Sequence, residues 1–258
     1  MKRVLVPLWR YALLVLVCGL ALQGVFLLRI ALMVWVDPSS TTFQRSEIWR
    51  LVTSRGELPW SQAWRPYASL SPSLKRAVIA SEDAGFTDHG GVDWDAIEKA
   101  WERNERAELQ ADKRREQLER RAAAAGKPLT APPPTARVVG GSTITQQLAK
   151  NLFLSSERSL ARKGQEVVLS FMLETLLDKR RILEIYLNHV EWGEGVFGAQ
   201  AAAQQYFGVD ADRLTPMQAA RLAVMLPAPK RFEKRPSSPY VAGRAATIVA
   251  RMGAVDLP

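Results

Sequence analysis

The chain has 258 residues, 47% of them hydrophobic and 24% charged, with a formal net charge of +9. Its single cysteine, Cys18, excludes an internal disulfide framework and a cysteine-built metal site, and two histidines, His89 and His189, are too few for a histidine-built zinc centre. Lys2, Arg3, Arg10 and Arg29 carry four of the nine charges within the first 36 residues. The remainder is mildly basic, suited to anionic partners or simply to solubility.

The first element is an apolar run. Tyr11 to Leu28 reads YALLVLVCGLALQGVFLL, with only Gln23 strongly polar. At ~1.5 Å per residue its roughly 18 residues span about 27 Å, close to the hydrocarbon thickness of a bilayer. Arg29 can snorkel, and IALMVWV continues the apolar surface to Trp35. Lys2, Arg3 and Arg10 precede the run and Asp37-Pro38-Ser39-Ser40 follows it. The positive-inside rule then leaves the N-terminus cytoplasmic and exports everything after Asp37. A cleaved signal peptide wants an A-x-A pattern, and a lipoprotein signal wants a small residue before cysteine, where Val17 stands. The expectation is an uncleaved anchor over 1–36.

Phe43 to Pro66 holds Trp49, Trp60 and Trp64 without clean periodicity, and reads as part of a juxtamembrane connector over 37–70. Ser71-Pro72 caps the first clear helix of the exported part, with Leu74, Ala77 and Val78 on its apolar face and an end between Glu82 and Gly85. A short helix fits Trp94 to Trp101. Glu102 to Arg137 is charged, alanine-rich and then proline-rich, with few large apolar residues, so it reads as a solvated helix and a connector, or as disorder. Thr143 and Gln146 have capping-box spacing, and Arg162 to Tyr186 fits one long helix or two abutting ones. Gly193, Gly195 and Gly198 mark a loop, Ala199 to Phe207 a helix, and Thr215-Pro216 with Gln218 caps another that runs to Pro227. No alternating strand pattern of any length is visible. The expected class is mainly α.

Three constellations bear on chemistry. EDAGFTDHGG, Glu82 to Gly91, puts two acids where a helix ends, and the negative end of the macrodipole there raises a carboxylate's pKa; ordinary turn material looks the same. GGSTITQQLAKN, Gly140 to Asn151, pairs glycines with a helix start that suits an anion, or is a glycine turn with a capped helix. Arg158, Arg162 and Glu166 follow at i,i+4 steps with Lys163 alongside. A surface ion-pair ladder explains them, although Arg before Glu is the weaker orientation and cations oppose the dipole at a helix start; an anionic ligand such as a diphosphate explains them too.

The order EDAGFTDHGG, GGSTITQQLAKN, RKGQEVVLSFMLE, ILEIYLNHVEWGEGVFG, LTPMQAARLAVMLPAPKRF resembles the peptidoglycan glycosyltransferase family, the domain of bifunctional penicillin-binding proteins and of their monofunctional, single-domain relatives. The five blocks cover most of Ser71 to Phe232. The resemblance implies a lysozyme-like helical glycosyltransferase domain over 71–240, with a mobile hydrophobic part near the membrane and a C-terminal helix and tail over 241–258. Glu82 matches the base that deprotonates the 4-hydroxyl of the acceptor N-acetylglucosamine, which attacks C1 of the donor muramyl unit of lipid II with inversion, releasing undecaprenyl diphosphate. Glu166 matches the second essential carboxylate. Lys150, Arg158 and Arg162 match cations that neutralise the diphosphate. Asp83, Phe86, His89, Thr143, Gln147 and Lys163 match positions lining the cleft, and Asn151 closes the second block in the same substrate-binding set. No cofactor is required by the resemblance, although Mg2+ or Mn2+ beside Glu166 and the diphosphate is compatible with it.

The implied partners are lipid II, the growing glycan, the membrane, and cell-wall synthesis or division proteins, with no nucleic acid. The implied place is the bacterial inner membrane with the domain in the periplasm, and moenomycin is the characteristic inhibitor. Neither S-x-x-K nor K-T-G occurs, so transpeptidase chemistry is not expected. One departure is the longer stretch around Glu105 to Pro134, which makes 102–137 read as a mobile, dispensable insertion. The rival readings are a lytic glycosidase, which has no use for a basic column at a neutral leaving group, and a membrane-tethered cell-wall scaffold, which would not need Glu82.

Overall fold

Helices supply nearly all the regular structure of this computed structural model, which describes residues 2–124, 140–155, 157 and 159–258. The chain divides into two units, one formed by Met1–Val92 with Thr143–Pro258 and the other by Asp93–Ser142.

In the first unit, α1 (Lys2–Leu32) contains an apolar stretch, Trp9–Leu32, of 24 residues. At ~1.5 Å per residue that is about 36 Å, long and apolar enough to cross a membrane. The helix is bare along most of its length, but its last turns join the body of the unit. Ile30 and Met33 are buried, and Phe26 meets Phe153 edge-on at 5.3 Å. Arg29, expected to snorkel, lies over the Phe153 ring at 5.1 Å. Gln23, the polar exception, exchanges two 2.9 Å amide hydrogen bonds with Gln165.

The stretch expected to be an aperiodic connector contains a helix, α2 (Thr42–Arg55). A Thr41–Gln44 capping box starts it and Gly56, at φ 69°, stops it. Its buried residues are Gln44, Glu47 and Leu51, so a face of mostly polar residues hid it from a hydrophobic period. Three very short strands follow in the sheet order β1-β3-β2: β1 (Ser61–Gln62) is parallel to β3 (Val196–Phe197), and β2 (Glu191–Gly193) is antiparallel to it. Gly195 makes this closure possible. It sits at φ +74°, and a Cβ there would come within 1.7 Å of the Pro59 carbonyl oxygen.

Ser71 caps α3 (Pro72–Glu82), with Pro72 in the first turn. Arg162 to Tyr186 resolves into two helices, α6 (Leu160–Leu176) and α7 (Lys179–His189), the second started by the Asp178 cap. They follow α5 (Ile144–Phe153) and precede α8 (Ala199–Phe207), α9 (Pro216–Met225), α10 (Pro229–Phe232) and α11 (Pro239–Met252). One layer packs α3, α9 and α11 together; a second packs α5 against α2, α6 and α7. Every residue of α7 from Ile185 to His189 is buried. Trp192 is sealed beside it, and its indole N–H donates to the Leu222 carbonyl at 3.0 Å, so the largest core side chain leaves no polar atom unpaired.

In the second unit, α4 (Trp94–Ala124) is one unbroken helix, where a short helix and a distinct solvated one were expected. The Asp93 carboxylate accepts the Ala96 N–H at 2.8 Å to start it. Arg106–Glu102 at 2.7 Å and Arg115–Glu119 at 2.9 Å decorate its surface. The expected proline-rich connector falls mostly within 125–139, outside the described residues.

Candidate active site

Glu82 is the last residue of α3, half-buried, with Oε2 accepting a 3.0 Å hydrogen bond from the Gln147 amide on α5. That amide is itself oriented, because Tyr186 on α7 donates its hydroxyl to Gln147 Oε1 at 2.9 Å. Tyr186 is fully enclosed, and burial with the nearby Glu82 and Asp83 charges holds it well above the usual tyrosine range, so it stays a phenol and a donor. The Glu82 carboxyl is raised as well. Burial is the leading cause, Asp83 adds to it, and the Gln147 hydrogen bond and Lys150 partly offset it. Desolvation thus raises this carboxyl in the direction expected for an acid at a helix end.

Behind Glu82, its neighbour Asp83 ties three segments together. Oδ2 accepts the Ile144 N–H at the start of α5 at 2.9 Å, and Oδ1 lies 2.9 Å from His89 Nε2. His89 Nδ1 accepts the Gly91 N–H at 3.2 Å, which leaves Nε2 as the ring's donor. Thr143, the α5 cap, donates to the Gly91 carbonyl at 2.6 Å. Phe86 is wholly buried in the core. The resemblance put Asp83, Phe86, His89 and Thr143 in the cleft lining; the structure assembles Asp83, His89 and Thr143 as a brace that fixes the start of α5 against the end of α3, and buries Phe86. Phe86 and Thr143 have almost no surface with which to touch a ligand.

α5 and α6 carry the cations. A cleft of about 380 Å³ is lined by Gln147, Lys150 and Asn151 of α5, by Arg162 of α6, and by Val190 and Glu191 at the start of β2. Lys150 lies within electrostatic reach of Glu82, Glu166, Arg162 and Lys163, and burial lowers its pKa. Glu166 is buried. Its Oε2 takes Arg162 Nη1 at 3.2 Å and its Oε1 takes Lys163. The ladder is present and adjoins the cleft: two cations share one carboxylate, Lys150 adds a third positive charge, and Arg162 Nε keeps no hydrogen-bond partner among the described residues. Arg158 lies outside the described residues.

A divalent ion beside Glu166 is not supported by this donor set. Both carboxylate oxygens already face cations, whereas Mg2+ or Mn2+ wants several uncommitted hard oxygens. The residues beside Glu166 do not fit a resident metal there.

Two residues near this site escaped the sequence reading. Tyr186 looked like one more apolar position of a core helix. Glu191 follows Val190 and precedes Trp192, and a lone acid inside a buried run was the available signal.

The profile of the transglycosylase family matches residues 52–113 and 119–253. The biosynthetic peptidoglycan transglycosylase of Paraburkholderia xenovorans (strain LB400) is 50% identical over 242 residues, covering 94% of this chain and 90% of that protein. The protein of the same name from Burkholderia thailandensis is 50% identical over 239 residues, covering 93% of this chain and 83% of its own length. The helical fold is lysozyme-like and follows an N-terminal apolar helix, the one candidate span among the described residues. With the profile running through α3, α5 and α6, where the carboxylates and cations meet, the chain belongs to the transglycosylase family.

Proposed function

We propose that this protein is a membrane-anchored peptidoglycan glycosyltransferase that polymerises lipid II. Glu82 removes the proton from the 4-hydroxyl of the acceptor N-acetylglucosamine. The freed oxygen attacks C1 of the donor muramyl unit from the face opposite its leaving group, so the centre inverts, and undecaprenyl diphosphate departs. Lys150, Arg162 and Lys163 meet the charge that develops on that diphosphate, and Glu166 holds the last two in place. Transpeptidation is not part of the activity. α1 crosses the cytoplasmic membrane with its N-terminus inside, and the catalytic domain works on the outer face, where the lipid tails of donor and product stay in the bilayer.

The observation that carries this reading is Gln147. One face of its amide holds Glu82, and the same residue lines the cleft with Lys150 and Arg162. A base hydrogen-bonded to a residue of the cation-lined cleft suits attack by a hydroxyl with loss of an anion. A glycosidase releasing a neutral sugar would have no use for the cations. The raised Glu82 carboxyl makes a stronger base, and activity should fall in acid at a pH above the usual range for a glutamate.

Purified wild type and Glu82→Gln, given lipid II, test the proposal. Loss of the base should slow polymerisation by about 10²–10⁴-fold. A variant that stays within tenfold of wild type, or a wild type that cleaves finished glycan and leaves lipid II untouched, would sink it.

A further inference from the structure

A third carboxylate reaches the same cleft from a different element. Glu191, the first residue of β2, lines it and is only 8% exposed. Its Oε1 accepts no hydrogen bond among the described residues. The nearest cation, Lys230 Nζ, stands 3.4 Å away, but that ammonium donates to Glu47 Oε2 at 2.5 Å. Glu47 is secured separately by Arg50 at 2.8 Å. Lys230 thus makes its close contact with Glu47 and only a longer ion pair with Glu191, whose Oε1 is left without a hydrogen bond among the described residues at the cleft wall. A buried acceptor without a hydrogen bond is costly, and a purely structural side chain would avoid it. Burial, partly offset by Lys230, raises the carboxyl to about 7; Lys230, Glu47 and Glu233 are the charged groups that face it.

The chemistry limits what can fill the gap. A carboxyl repels a diphosphate and takes hydroxyl or amide N–H donors, both of which an N-acetylated sugar offers. The cleft has cations on α5 and α6 and a hydrogen-bond acceptor on β2. We propose that Glu191 is a substrate-binding residue: its carboxyl takes a hydroxyl or acetamido N–H of a saccharide in the cleft and so fixes the substrate's direction, sugar toward β2 and diphosphate toward Lys150 and Arg162. This rests on the glycosyltransferase reading above.

Steady-state polymerisation of lipid II by full-length wild type, Glu82→Gln, Glu191→Gln and Glu191→Ala tests it. Losing one such hydrogen bond should raise KM about 5–10-fold in Glu191→Ala, with kcat within about threefold of wild type. Glu191→Gln, which keeps an acceptor oxygen of the same reach, should recover KM to within about threefold. An unaltered KM in Glu191→Ala overturns the proposal, as does a Glu191→Gln equally impaired, because the charge would then be what matters. If Glu82→Gln polymerises normally, the parent reading fails and takes this one with it; an inactive Glu82→Gln beside an unaltered Glu191→Ala refutes Glu191 alone.

Should Glu191→Ala fail to fold, Glu191→Met, which fills a similar space without a comparable acceptor, decides. KM should rise about 5–10-fold, and an unaltered KM overturns the proposal.

Discussion

α4 and α6 both carry an arginine followed four residues later by a glutamate, and the two pairs do different work. Arg115–Glu119 on α4 is the shorter contact, 2.9 Å against 3.2 Å for Arg162–Glu166 on α6. Yet the Glu119 side chain is 52% exposed and that of Glu166 only 4%. In water an i,i+4 pair is worth about 0.3–0.5 kcal/mol, and its geometry hardly matters. Out of water the carboxylate cannot be removed without stranding its cations. Spacing along a helix is silent on which case applies; the packing of α5 against α6 decides it.

Glu166→Gln should break the α6 pair most visibly. We expect at least a 100-fold loss of polymerisation and a stability cost of about 3 kcal/mol, the low end for a buried pair because Lys163 is half exposed. Denaturant melts and lipid II turnover read the two effects, and a cost below about 0.5 kcal/mol would put Glu166 in the same class as Glu119.

Acid should expose the next largest effect. Burial depresses His189 from 6.5 to about 4, so the unfolded chain binds the extra proton first. Its contribution is complete above pH 6.5 and is lost as pH falls through 4, a change of about 3 kcal/mol. Raised carboxyls such as Glu191 slope the other way, since their ionisation as pH rises disfavours the folded state. The test is therefore the difference between wild type and His189→Gln in denaturant midpoint at pH 7 and pH 4.5; parallel curves would refute it.

Tyr186→Phe should cost about 1 kcal/mol and lower kcat several-fold, because the Gln147 amide loses the donor that orients it toward Glu82. An unchanged kcat would show that Gln147 needs no such partner. Glu119→Ala sets the floor: less than about 0.5 kcal/mol, with wild-type activity. A larger effect would mean that the α4 charges are less solvated than they look.

Elements with an apolar face and a cap were legible in the sequence. α3 starts at the serine-proline signal, and α8 occupies Ala199–Phe207, the bounds its alanines and flanking glycines suggested. α2 was not legible, because Gln44 and Glu47, with Leu51 alone as an apolar partner, fill its buried face. Strands of two or three residues are too short to alternate. In the site, the motifs marked Glu82, Lys150, Arg162 and Glu166, which geometry gathers around α5. They did not separate residues that face the cleft from those that stand behind it, as Phe86 and Thr143 show. Glu191 gained meaning only when β2 closed against β3 and carried it to the cleft wall.

The reciprocal amides of Gln23 and Gln165 have a consequence for how the candidate membrane span behaves. A greasy tail that merely tethered the body would be free to swivel. This one is clasped, because Gln165 immediately precedes Glu166 and both of its amide bonds close on α1. The rotation of α1 about its own axis is thereby coupled to the helix that holds Arg162 and Lys163, and a foreign apolar segment grafted in its place would lose that coupling.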